Sequence, residues 1–398
     1  MDKLKKLLLG KPAISSLKIL KRTNEVVLKQ PNDVCGENES SGPGYKEKIK
    51  SMFPKLFNGL GQMEGEYRIK LSPNSKPAVI SAPRRIAQPM LPKVKECLDR
   101  METDEVIRKL QENEASPWMS AMVVVPKPGG KVRICVDLTQ LNKHVIRPRY
   151  QLPTVDEVLC KLGDGKVFTK LDANSGFFQC KLAEESQLLT SFLTPFGTYC
   201  YRKLPFGITS GPEFYQEKIN GVLGNLQNTT GMIDVICVYS TDRESHEKYL
   251  LPVLQKLQDA GVTLNMDKCE FMKSTISFVG HEIGAEGIRA DPRKVCAIKE
   301  MATPTGVSEL CCFLGMVNQL GKFCGKLAEY TQPLRALLSK QNKWHWGAAQ
   351  KEAFKNIKAE LCCLLLCACQ VQSASQDQNP QRCKQIRIWR STATAVKT

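Results

Sequence analysis

Two short apolar runs each carry an aspartate at one end, and this constrains the chain more than any other feature. The run 167–171 ends on Asp172, and the run 235–239 is entered through Met232-Ile233-Asp234. Each reads as a buried strand. A carboxylate at the end of a buried strand is costly to leave unpaired, so it either meets a cation or caps a neighbouring turn. Capping is the commoner outcome for a single aspartate. A pair of them beside a basic hairpin also suits the oxygen ligands of magnesium poised to receive a nucleoside triphosphate.

The surrounding pattern alternates strands with helices. Residues 122–126 and 132–136 flank the turn Pro128-Gly129-Gly130, a hairpin whose tip carries Lys127, Lys131 and Arg133. A turn containing Gly176 follows Asp172, and a second short strand is predicted around 177–182. Val94, Leu98, Met101, Val106 and Leu110 recur at helix-like intervals, with a break near Thr103. Helices are also predicted over 212–223, with Pro212 in the first turn, and over 246–260, stopped by Gly261. After Gly287 further helices fall at 292–301, 308–323 and 348–361. This alternation excludes all-α and all-β domains and predicts an α/β chain of the α+β kind. Residues 26–90 read as a linker and extended lead-in, with the linker composition clearest at 31–45 and an extended stretch rich in proline and basic residues at 71–92.

Composition narrows the partners. The excess of 57 Lys+Arg over 40 Asp+Glu gives a formal charge of +17. Such an excess commonly serves a polyanion, because each neutralised phosphate releases counterions; the plainer reading is a generally basic protein. The 17 cysteines are scattered, without the even spacings of a disulfide framework, which points to reduced thiols in the cytoplasm or nucleus. The apolar patch at 7–9 is too short for a signal-peptide core. The apolar run 361–369 is about half a membrane span, so no membrane partner is expected.

Longer blocks carry a resemblance. SPWMSAMVVVPKPGGKVRICVDLTQLNK (116–143), KVFTKLDANSGFFQ (166–179), TPFGTYCYRKLPFGITSGP (194–212), GVTLNMDKCEF (261–271), FVGHEIGAEGIRADPRKV (278–295) and FLGMVNQLGKF (313–323) follow one another. In order and spacing they resemble the reverse transcriptase of a gypsy-type LTR retrotransposon Pol polyprotein, across about residues 90–360. The resemblance implies a right-hand polymerase: fingers with a first helix at 91–165, a ferredoxin-like palm at 166–283, and a helical thumb and connection at 284–361. It implies Asp172 and Asp234 as metal-binding carboxylates for two Mg2+ ions. Lys127 and Arg133 match residues that grip the incoming triphosphate, though solvated hairpin charges are the plainer reading. Phe177 matches a steric gate against the ribose 2′-hydroxyl, against the alternative of an ordinary core aromatic. Leu204–Gly207 matches a palm segment under the templating pair. Lys268 lies where a lysine supplies a proton to pyrophosphate, or is a surface lysine. Phe278, Val279, Gly280 and His281 resemble the primer grip, with His281 no metal ligand. The implied partners are a primed RNA or DNA template and deoxynucleoside triphosphates.

The chain also departs from the pattern. The family hairpin carries two consecutive aspartates, whereas here Val235 follows Asp234. Valine cannot ligate a metal, and Asp242 lies too far along the strand to replace the lost carboxylate. Cys311 and Cys312 stand where thumb arginines are usual, and Ser240 where glycine is usual. Residues 1–25 resemble the closing segment of a retropepsin, without its Asp-Thr-Gly or Asp-Ser-Gly. Residues 362–398 fit no part of the family, read as a disordered tail, and carry no ribonuclease H site. Two functions follow as expectations: an RNA-directed DNA polymerase domain impaired by the missing aspartate, or a nucleic-acid-binding remnant without catalysis.

Overall fold

Successive side chains of a strand point to opposite faces of its sheet, and the run 167–171 places Val167 and Leu171 on one covered face and Phe168 on the other. It forms the strand Val167–Asp172 inside a four-stranded sheet. The order across that sheet is Glu270–Lys273, Val167–Asp172, Val235–Ser240, Thr229–Met232, and every neighbouring pair is antiparallel. Leu171, Ile236 and Val238 face one core, which they share with Tyr215, Ile219, Leu250 and Leu254. Phe168 and Cys237 face the other, with Phe278, Leu310, Phe313 and Leu314. A computed structural model describes residues 43–363 apart from 112, 325, 326, 340, 341 and 343.

Two helices complete the unit. Gly211–Leu223 begins with a proline in its first turn, where the missing N–H has no cost, and stops at Gly224, whose φ of +52° suits glycine. Arg243–Asp259 is capped by Asp242, whose carboxylate accepts from the Ser245 amide at 2.8 Å. Asp242 is therefore occupied as a cap, in keeping with its exclusion from the carboxylate set. With the intervening strands set aside, the chain order is strand, helix, strand, strand, helix, strand, the ferredoxin-like βαββαβ arrangement.

A five-stranded sheet lies ahead of it, in the order Ile107–Lys109, Gly197–Tyr201, Phe192–Thr194, Ser120–Pro126, Val132–Asp137. The segment expected to be wholly palm, 166–283, thus contributes two strands to the sheet of the basic hairpin. The reason is long-range: Phe192 and Leu193 pair in parallel with Ser120 and Ala121, a contact no local pattern announces. The helix that carries Val94, Leu98 and Met101 ends at Thr103, and the remaining apolar positions, Val106 and Leu110, flank the strand Ile107–Lys109.

Other expectations change as well. The stretch read as linker and lead-in contains a helix, Pro43–Met52, and a turn, Pro54–Phe57. Tyr45, Ile49, Phe53 and Leu56 are buried in the first core, so this segment is part of the domain from residue 43 onward. Phe177 is not in a strand: Gly176–Gln179 is a 3-10 turn, entered through Ser175 at φ +53°, and the short strand is Lys181–Leu182. Beyond Lys273 a meander of Thr275–Phe278, His281–Gly284 and Gly287–Ala290 packs with the helices Pro292–Glu300, Val307–Gln319, Leu327–Arg335 and Ala348–Cys363 around the second core. The expected retropepsin remnant lies outside the described residues, as does the off-family tail from 364 on; its first two residues, Cys362 and Cys363, instead close the helix Ala348–Cys363. Among those residues no helix is long and apolar enough to cross a membrane.

Candidate active site

Asp172 is the last residue of its strand, and Val235 is its partner across the ladder. The Ala173 amide donates to the Asp234 carbonyl at 2.8 Å, which makes 172 and 235 a non-hydrogen-bonded pair. In such a pair the two side chains share one face and the Cα atoms stand only about 4.5 Å apart. Val235 therefore occupies the position directly beside the Asp172 carboxylate. The substitution noticed in the sequence falls in the site itself.

Asp234 sits in the two-residue turn between Met232 and Val235. Its neighbour Ile233 has φ +53°, a region that a β-branched side chain enters only under strain, at a cost of about 1–3 kcal/mol. Gln216, on the helix Gly211–Leu223, holds the turn: its Oε1 accepts from the Ile233 amide at 2.7 Å and its Nε2 donates to the Gly231 carbonyl at 3.1 Å. The strained turn is thus clamped from the helix beneath it.

The electrostatics follow from this placement. Burial, and then the charge of Asp172, push the Asp234 carboxyl up to about 6, with Lys268 pulling the other way. A raised carboxyl favours the folded state below its unfolded pKa, and that contribution is lost as pH rises through 6. Ionising Asp234 at neutral pH consequently costs on the order of 3 kcal/mol. Asp172 has a counter-charge, the Lys268 ammonium at 3.0 Å. Asp234 has none: its Oδ1 is buried and without a hydrogen-bond partner.

A hard divalent cation fits this donor set. It would neutralise two carboxylates whose mutual repulsion Lys268 offsets only in part. The set is small: among the described residues no group of three His, Cys, Asp or Glu side chains could hold a metal.

Of the other predicted residues, Phe177 and Arg133 are brought together through Phe206, in the segment Leu204–Gly207. The Phe177 ring is buried, with its centroid 5.0 Å from that of Phe206 at 24° and 5.2 Å from that of Tyr215. The Arg133 guanidinium lies over the Phe206 ring at 5.1 Å. Lys127 is exposed at the hairpin tip, where its amide donates to the Lys131 carbonyl at 2.8 Å. Residues 278–281 form a hairpin turn on the separate three-stranded meander, with Val279 at φ +47° and Gly280 at φ +75°. His281 is buried and its Nδ1 lies 3.0 Å from the Val279 carbonyl oxygen. Lys170, which donates to the Ser277 carbonyl at 3.2 Å, ties this meander to the strand of Asp172. Cys311 and Cys312 are exposed on the helix Val307–Gln319.

Sequence reasoning missed three members of the site: Gly176, Tyr215 and Gln216. Tyr215 and Gln216 lie inside a helix recognised only by its starting proline and period, and Gly176 was read as part of a turn. None has a local signature.

Residues 125–283 match the family model described as reverse transcriptase (RNA-dependent DNA polymerase). Two relatives from Schizosaccharomyces pombe, the transposon Tf2-3 and Tf2-7 polyproteins, are each 34% identical over 255 residues. The chain carries a reverse transcriptase domain similar to that of these retrotransposon polyproteins. The match covers 64% of this chain and spans 19% of each Tf2 polyprotein. The reverse transcriptase domain also superposes on solved foamy viral protease-reverse transcriptases. One, in complex with double-stranded DNA, has a TM-score of 0.74 at 22% identity, covering 85% of this chain and 73% of that one. Another, in complex with an RNA/DNA hybrid, has a TM-score of 0.71 at 20% identity, covering 79% of this chain and 43% of that one. The fold is that of a right-hand polymerase.

Proposed function

We propose that this gypsy-type domain descends from an RNA-directed DNA polymerase using deoxynucleoside triphosphates on a primed template, and that Val235 has reduced its polymerisation by several orders of magnitude. The observation that carries this reading is the pairing of Asp172 with Val235, side by side on one face, with Asp234 in the adjoining turn. Bound there, Mg2+ would lower the pKa of the primer 3′-hydroxyl and stabilise charge on the leaving pyrophosphate. Asp172 and Asp234 would hold it, with waters and substrate oxygens filling the positions that a third carboxylate takes in the family.

The remaining residues act on the substrates. Arg133, and Lys127 at the exposed tip, present cations to the triphosphate; a guanidinium already resting on Phe206 is preoriented for that role. Phe177, wedged between Phe206 and Tyr215, is too tightly held to swing aside, as a ring that excludes a ribose 2′-hydroxyl must be. Lys268, 3.0 Å from Asp172, is within reach of the pyrophosphate side of the same site. The turn at 278–281 would hold the primer terminus. The basic balance of the chain and the nucleic acids bound by the foamy viral enzymes support a template-primer partner.

Primer extension on an RNA template, with Mg2+ and then Mn2+, tests the reading. Turnover near that of an intact reverse transcriptase would overturn the impairment. The second reading, a nucleic-acid-binding remnant without chemistry, is favoured by the same valine. It predicts salt-dependent binding of a primer-template duplex with no extension in either metal.

A further inference from the structure

The helix Gly211–Leu223 brings one more polar atom to the carboxylates. Tyr215 is fully buried, and its hydroxyl has no hydrogen-bond partner. The same is true of Oδ1 of Asp234. Both atoms crowd the backbone of Gly176, so closely that a Cβ built there would collide with each of them. The absent side chain at 176 is therefore what lets a phenol and a carboxylate oxygen converge on one spot. A buried hydroxyl and a buried carboxylate oxygen each lose about 1–3 kcal/mol when left unpaired, and here each is the other's available complement. The phenol has a proton to donate, and the ionised carboxylate only accepts.

We propose that Tyr215 is a positioning residue of the cation site: its hydroxyl donates to Oδ1 of Asp234 and so turns Oδ2 toward the bound cation. The inference rests on the reading of Asp172 and Asp234 as the metal-holding pair and deepens it. In a site with three carboxylates, orientation of any one matters less. Here Val235 leaves two, and one of the two stands on a strained turn. A donor fixed in the helix core narrows the rotations open to Asp234, as outer partners of metal ligands do, typically at a worth of tenfold or more in affinity.

The test is Mn2+ binding to the full chain, followed by loss of the free-ion electron paramagnetic resonance signal, with no substrate present. Tyr215→Phe removes one oxygen and keeps the ring that packs on Phe177, so its metal-free melting temperature should match the parent or exceed it slightly. Its Mn2+ dissociation constant should rise about tenfold, while Asp234→Asn should abolish binding. Tyr215→Phe binding Mn2+ within twofold of the parent, with Asp234→Asn still defective, would overturn the positioning role and leave the carboxylate pair standing. Failure of the parent chain itself to bind Mn2+ would remove the pair and the positioning role together.

Discussion

Restoring the missing carboxylate by Val235→Asp should separate chemistry from stability in one variant. The new side chain would stand beside Asp172 on the same face and next to Asp234, whose own ionisation is already opposed. Two like charges about 6 Å apart at an effective dielectric of about 20 repel by roughly 3 kcal/mol. Lys268, paired with Asp172, offsets part of this. Loss of the valine side chain, which packs against the second core, adds about 1 kcal/mol. The metal-free variant should therefore be less stable by about 2–4 kcal/mol, a fall in melting temperature of roughly 5–10 °C. Because a cation binds only the folded site, Mg2+ at millimolar concentration should recover most of that loss and shift the variant more than the parent. Primer extension should rise at least a hundredfold in the same preparation. A Val235→Asp protein that melts like the parent without metal, ignores Mg2+, and extends no primer would refute the placement of residue 235 beside a working carboxylate pair.

Three further outcomes are expected. His246 is fully buried, and burial pushes its imidazole down to about 4, so the folded state takes up its proton later than the unfolded chain; stability should be full above pH 6.5 and fall by about 2 kcal/mol by pH 5, and a flat denaturation midpoint across that window, or one unchanged by His246→Gln, would contradict it. Gly176→Ala forces a methyl onto Tyr215 and Asp234; it should cost about 2–4 kcal/mol in urea unfolding and weaken Mn2+ binding, and a neutral result would mean that the turn Gly176–Gln179 relaxes freely. Cys311→Arg with Cys312→Arg adds two cations to an exposed helix face; duplex affinity should rise, with the slope of log K against log salt steepening by about 1–2, and an unchanged slope would place that face away from nucleic acid.

What could be read in advance was local. The strands around Asp172 and Asp234, the basic hairpin and the helix starting at Pro212 follow from runs, turns and caps, and the resemblance adds the right-hand fold and the loss at Val235. What could not be read was tertiary. His246 is an example: it was one position in a helical period, yet its Nε2 meets the Thr169 hydroxyl and its Nδ1 the Ser240 hydroxyl, each at 2.8 Å. Thr169 accepts from the Met272 amide and so donates to the ring, while Ser240 donates to the Asp242 carbonyl and so accepts from it. The neutral ring is the one that fits. These partners lie up to 77 residues apart in sequence, and no window of periodicity spans them. Separation along the chain also hid Tyr215 and Gln216 from Asp234, and Phe192 from Ser120. Ser240, noted only as a departure, turns out to support the histidine.

The two carboxylates also belong to parts of the sheet that open differently. Asp172 ends a strand covered on both faces and flanked on both edges, so its amides should exchange with solvent only when the whole domain unfolds. Asp234 stands in a turn that leads to the edge strand Thr229–Met232, where protons are free to exchange by local fraying. Hydrogen exchange should accordingly find one carboxylate on the slowest element of the molecule and the other on a segment that breathes, held to its place by the helix below.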